Sequence, residues 1–67
     1  MQLHVNGEFI EVPKSVKTIP ELIEHLDLSS PAMIVEHNEV ILQKEERLNA
    51  VLSSGDKIEF VQFVGGG

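Results

Sequence analysis

Thr18-Ile19-Pro20-Glu21-Leu22-Ile23-Glu24-His25-Leu26 is the stretch on which the fold turns. Threonine and glutamate three residues apart form a capping box, in which each side chain accepts a backbone N–H that the first helical turn would leave unpaired. Proline sits inside that turn, where its missing N–H costs nothing. Ile19, Leu22, Ile23 and Leu26 then fall at i, i+3, i+4 and i+7, which puts one apolar stripe on one helix. Ser29-Ser30-Pro31 is expected to end it. No other segment has this period, and Lys44 to Asn49 is polar and weakly helical at best.

Outward from the helix, the pattern changes to strands. Residues 2–5 and 8–12 alternate apolar and polar around Asn6-Gly7, whose residues accept the positive φ values of a type I′ turn, so a β-hairpin precedes the helix. Pro13 to Lys17 is read as a loop. After the helix, residues 32–37 form a largely apolar strand suited to the interior of a sheet. Asn38-Glu39 turns the chain into a short strand, Val40-Ile41-Leu42, and Ser53-Ser54-Gly55-Asp56 turns it again into a last strand, Lys57 to Val64. A second helix comparable to the first is missing, which argues against a ferredoxin-like arrangement. A crossover through the single helix would lay the third strand parallel to an earlier one. The expected class is α+β: a β-grasp, ubiquitin-like mixed sheet covered by one main helix. Residues 1–64 are read as that domain and 65–67 as a flexible C-terminal glycine tail.

Length and composition narrow the chemistry. A chain of 67 residues makes one domain and buries only about 60% of the surface its unfolded form exposes. No cysteine is present, so disulfides, thiolate metal sites and a thiol nucleophile are all excluded. A formal charge of −6 repels a phosphate backbone, so nucleic acid is not an expected partner, whereas a basic protein surface would be steered toward it. The sequence holds no stretch apolar enough for a membrane span and no signal segment, which points to the cytoplasm. A monomer is expected for the free chain.

Side chains offer no active site of their own. His4, His25 and His37 are scattered without ligand spacing, so no metal is expected. Glu21, Glu24, Asp27, Glu45 and Glu46 have the look of solvated faces, with no apolar pocket to raise a pKa. Ser29, Ser30, Ser53 and Ser54 lie in turns without a nucleophile elbow. What remains is the terminus, Val64-Gly65-Gly66-Gly67. Without Cβ atoms, Gly65, Gly66 and Gly67 can thread a slot too narrow for other residues. A linker is the other reading of such an end. Ahead of the tail, Ile58 and Phe60 share one face of the last strand and Glu59, Val61 and Phe63 the other. If the first pair meets the helix, Val61 and Phe63 lie outside, with Phe9 of the hairpin near them and Glu8, Glu11 and Glu59 as a charged rim. Such apolar clusters are typical docking surfaces.

Taken together, Val5-Asn6-Gly7-Glu8, Thr18-Ile19 before Glu21-Leu22-Ile23, Asn38-Glu39-Val40-Ile41, Gly55-Asp56 and Phe63-Val64-Gly65-Gly66-Gly67 resemble the ubiquitin-like sulfur carriers, and among them the thiamine-biosynthesis carriers. The resemblance spans the whole chain. It departs from the family's pattern at Gln43-Lys44 and Arg47, where a Pro-Arg pair and an aromatic residue are usual. It implies that Gly67 is adenylated with ATP and magnesium on a ThiF-type adenylating enzyme. Sulfur from a cysteine desulfurase or comparable donor would then make a thiocarboxylate, which thiazole synthase consumes. On this reading the chain binds no cofactor itself and is a co-substrate, not an enzyme. Gly65 and Gly66 would thread the partners' channels, and Val61, Phe63 and Phe9 would dock. Related alternatives are a small subunit of molybdopterin synthase or a carrier for tRNA thiolation; a different class is a ubiquitin-like interaction module with a chemically idle tail.

Overall fold

The computed structural model describes residues 1–28 and 33–62. Five strands, β1 (Gln2–Val5), β2 (Glu8–Glu11), β3 (Met33–His37), β4 (Val40–Leu42) and β5 (Lys57–Gln62), form one sheet in the order β2-β1-β5-β3-β4. Helix α1 spans Ile19–His25 and a single turn, α2, spans Lys44–Arg47. Strands β1 and β5 pair in parallel, while β1–β2, β3–β4 and β3–β5 are antiparallel. These pairings make β3 run in the direction of β2, as a crossover requires, but β1 and β5 lie between them. The strand that carries the terminus is therefore the middle one.

Local chemistry explains the elements. Asn6 and Gly7 adopt φ of 48° and 82°, the left-handed pair that matches the twist of the flanking strands. Asn38 and Glu39, at 49° and 71°, repeat the turn, although glutamate accepts that conformation less readily than glycine. Thr18 and Glu21 form the capping box. The Glu21 carboxylate also accepts from the backbone N–H of Lys17 at 3.0 Å, and this bond, followed by that from the Thr18 hydroxyl, holds its pKa below the usual carboxylate value.

Helix α1 ends earlier than Ser29-Ser30-Pro31, whose first residue already lies outside the described residues. Leu26 is the cap, and Asp27 takes a left-handed φ of 55°. The N–H groups of Asp27 and Leu28 bond to Glu24 and Ile23 carbonyls at 3.1 and 3.0 Å, the two bonds of a Schellman motif with aspartate in the place of glycine. Strand β3 begins at Met33, and Ala32 lies outside the described residues. The segment 44–49 holds the one helical turn already named.

Leu3, Val5, Val12, Val16, Ile19, Leu22, Met33, Val35, Leu52, Ile58 and Phe60 are buried together between sheet and helix. Ile23 and Leu26 pack partly against them. Ile58 and Phe60 do face the helix, which sends Val61 outward at 48% exposure. No described helix is long and apolar enough to cross a membrane.

Candidate functional site

The site is built around the far end of β5. Val61 pairs with Ile34 of β3 on the outer face, and Gln62 pairs with Met33 as the last described strand residue. Strand β4 stops at Leu42, opposite Val35, so the carbonyl of Met33 has no strand beside it. The Arg47 guanidinium fills that gap, Nη2 donating to the Met33 carbonyl oxygen at 2.7 Å. This contact gives the departing segment 43–47 a role: α2 braces the end of the sheet from which the terminus leaves. Ile34, Ile41, Leu42, Lys44 and Arg47 line an open groove of about 370 Å³ at the same end. Ile41 is 60% exposed, so with Val61 and Ile34 it extends the outer apolar surface.

Phe9 is also on the outer face but is not part of that cluster. It is 70% exposed and its ring stacks on His4, centroids 4.6 Å apart. Since His4 is level with Lys57, Phe9 stands two strands and four residues from Val61, roughly 16 Å away. Glu8 pairs with inward-facing Val5, so it leaves the outer rim to Glu11 and Glu59. Phe63, Gly65, Gly66 and Gly67 lie outside the described residues.

The histidines have separate surroundings. His37 Nε2 and Asp56 Oδ2 are 2.7 Å apart, and the Ser53 N–H donates to the same oxygen at 2.9 Å. Burial works to raise the Asp56 pKa, but the hydrogen bonds from His37, Ser53 and Asn38 outweigh it and hold the carboxyl below its ordinary value. The pair joins the β3–β4 turn to the start of β5 and is structural. Among the described residues no three His, Cys, Asp or Glu side chains gather as metal ligands.

A depressed folded-state pKa contributes stability above the unfolded value, and that contribution disappears as pH falls through the folded one. Asp56 and Glu21 are both of this kind. Urea midpoints measured from pH 7 downward should therefore hold until about pH 4 and then drop. Asp56→Asn should cost about 1 kcal/mol at pH 7 and remove part of the acid-induced drop. A variant that followed the wild-type curve at both ends would refute the assignment.

Comparison with known proteins agrees with this architecture. The ThiS family model matches residues 3–67. The sulfur carrier protein ThiS of Bacillus subtilis is 38% identical over 65 residues, covering 97% of this chain and 98% of that protein. A thiazole synthase of Paramagnetospirillum magneticum is 36% identical over all 67 residues, which make up 20% of its length. The crystal structure of the thiamine biosynthesis protein ThiS from Geobacter metallireducens superposes with a TM-score of 0.84 at 32% identity, with both chains fully covered. The β-grasp sheet, the central last strand and these likenesses lead to one assignment: the chain belongs to the ThiS family, and its role is that of a sulfur carrier in thiamine biosynthesis.

Proposed function

We propose that the working group is the α-carboxylate of Gly67, loaded and unloaded by partner enzymes. The observation that carries this reading is the position of β5: the middle strand of the sheet runs toward the terminus, with Val61 exposed beside its end. With an ordinary pKa of about 3.3–3.7 the carboxylate is an anion at neutral pH and a poor electrophile. Activation comes first. On a ThiF-type adenylating enzyme using ATP and magnesium, a carboxylate oxygen attacks the α-phosphorus and pyrophosphate leaves. A sulfur nucleophile supplied by a cysteine desulfurase or comparable donor then attacks the acyl carbon, and AMP departs with the C–O electron pair. If the donor is a persulfide, a thiol must reduce the resulting S–S bond to free the thiocarboxylate. Thiazole synthase takes the sulfur. The chain is a co-substrate throughout, and Gly65 and Gly66 give the tail its narrow section.

Intact mass tests the reading directly. Protein incubated with the adenylating enzyme, ATP, magnesium and a sulfur donor should gain the mass of one oxygen-to-sulfur exchange at Gly67; an idle tether gains nothing.

Val61, Phe63 and Phe9 are the docking residues of this proposal, with Val61 and Phe63 nearest the tail and Phe9 a separate outlying contact. Val61→Asp should raise KM for the adenylating enzyme about tenfold and leave the urea midpoint unchanged. Equal losses of binding and folding would instead mean that Val61 is a core residue.

A further inference from the structure

Two asparagines hold β5 from opposite flanks. Asn38 accepts from the Lys57 N–H through Oδ1 at 2.9 Å and donates its own N–H to the Lys57 carbonyl at 2.8 Å. Asn6 does the equivalent on the β1 flank, one to three residues further along the strand. Its N–H donates to the Ile58 carbonyl at 3.0 Å, and its Oδ1 accepts from the Phe60 N–H at 2.8 Å. Both residues open tight turns with left-handed φ, 48° at Asn6 and 49° at Asn38. Each thus serves its own hairpin and, through its amide oxygen, a strand distant in sequence.

Position makes the two unequal. Strand β1 pairs with β5 only through His4–Lys57 and Val5–Ile58. Successive backbone groups of a strand point to alternate sides, so the Phe60 N–H faces the flank on which β1 has already ended. Asn6 Oδ1 occupies that flank. Beyond it the described part of β5 is bordered by β3 alone, through Val61–Ile34 and Gln62–Met33. Among the described residues Asn6 is therefore the last lateral tie on that side of β5, whereas Asn38 ties the strand's start.

We propose that Asn6 is a positioning residue for the carrier terminus: its side-chain oxygen fixes β5 at Phe60 and with it the direction in which the Gly67 carboxylate is presented. This rests on the reading that Gly67 is the loaded group. Docking through Val61 depends on the β3 flank, which Asn6 does not touch, so the effect falls on turnover rather than on KM. Misplacing a reacting group by about 1 Å can cost up to two orders of magnitude in rate. The glycines absorb part of such an error, and the expected loss is about tenfold.

Three full-length variants separate positioning from stability. Asn6→Gly keeps a turn that tolerates left-handed φ, since Gly-Gly is an accepted pair there, but removes the oxygen. Asn6→Asp keeps an acceptor. Asn38→Gly removes the matching oxygen on the β3 flank, at the strand's start. Charging is followed by intact mass with the adenylating enzyme, ATP and a sulfur donor, alongside urea midpoints and hydrogen exchange at the Phe60 amide. Asn6→Gly should show faster exchange at Phe60, kcat lower by about tenfold and KM within about twofold of wild type. Asn6→Asp should charge within about twofold of wild type, and Asn38→Gly should lose stability yet charge normally. Wild-type kcat in Asn6→Gly would overturn the proposal, as would equal slowing in all three variants. If wild-type protein gains no sulfur, the carboxylate reading itself fails and the positioning role falls with it.

Discussion

Protein lacking Gly67 should fold with the urea midpoint of the full chain and gain no sulfur at all. The fold is untouched because the buried cluster, among the described residues, reaches no further than Phe60, and a terminal residue contributes almost no packing. The chemistry is lost because removing one residue withdraws the carboxylate by about 3.5 Å, several times the misplacement that already costs a reaction about a hundredfold. Gly66→Val asks a second question. It keeps length and carboxylate but adds a branched side chain in the narrow section. It should dock with unchanged KM and charge at least a hundredfold more slowly. Amidation of the Gly67 carboxyl group should abolish charging outright, since the neutral amide offers no anionic oxygen to attack the α-phosphorus. Normal charging of Gly66→Val would remove the argument for a close-fitting channel, and charging of the chain without Gly67 would remove the terminal carboxylate itself.

The parts of the fold that were legible in the sequence are those specified by neighbours along the chain. Asn6-Gly7 fixed the first hairpin, and Thr18 with Glu21 fixed the helix start, because turn and cap chemistry is complete within a few residues. The alternation in β5 puts Ile58 and Phe60 on one face and Val61 on the other, and the structure decides that the first pair turns inward. What depends on contacts between distant segments was not readable. The parallel β1–β5 pair inserts the last strand between the first and third, a choice set by covering the sheet with one helix. Phe9 shares a face with Val61, but only the register reveals the distance between them. Asn6 reads from its neighbours as a turn residue, whereas its bond to Phe60 joins positions 54 apart. Arg47 looks like a departure in a polar loop, and only the Met33 carbonyl, which has no strand beside it, explains its use. The end of α1 is hidden in the sequence for a different reason: aspartate adopts left-handed φ too rarely to mark a helix stop.

Ile58→Ala should produce the largest loss of stability and is the natural counterpart of the Gly67 deletion. Ile58 is fully buried, opposite Val5 on one side and His37 on the other. Its side chain joins Leu3, Ile19, Leu22 and Val35, which are likewise at 0% exposure, so its removal leaves a cavity under the helix that both halves of the sheet share. Truncating such a residue costs about 2–5 kcal/mol, and a core of this size supplies only about 3–5 kcal/mol. A large fraction of the variant should therefore be unfolded in buffer at 25 °C by circular dichroism. Charging should fall in proportion to the folded fraction and recover when an excluded osmolyte restores folding, because the strand end and terminus are chemically unaltered. The Gly67 deletion shows the opposite pattern, complete folding with no charging and no rescue. An Ile58→Ala protein that stayed folded but failed to charge would mean that β5 does more than carry the terminus; one whose unfolding free energy stayed within about 0.5 kcal/mol of wild type would show that the core is not centred on this strand.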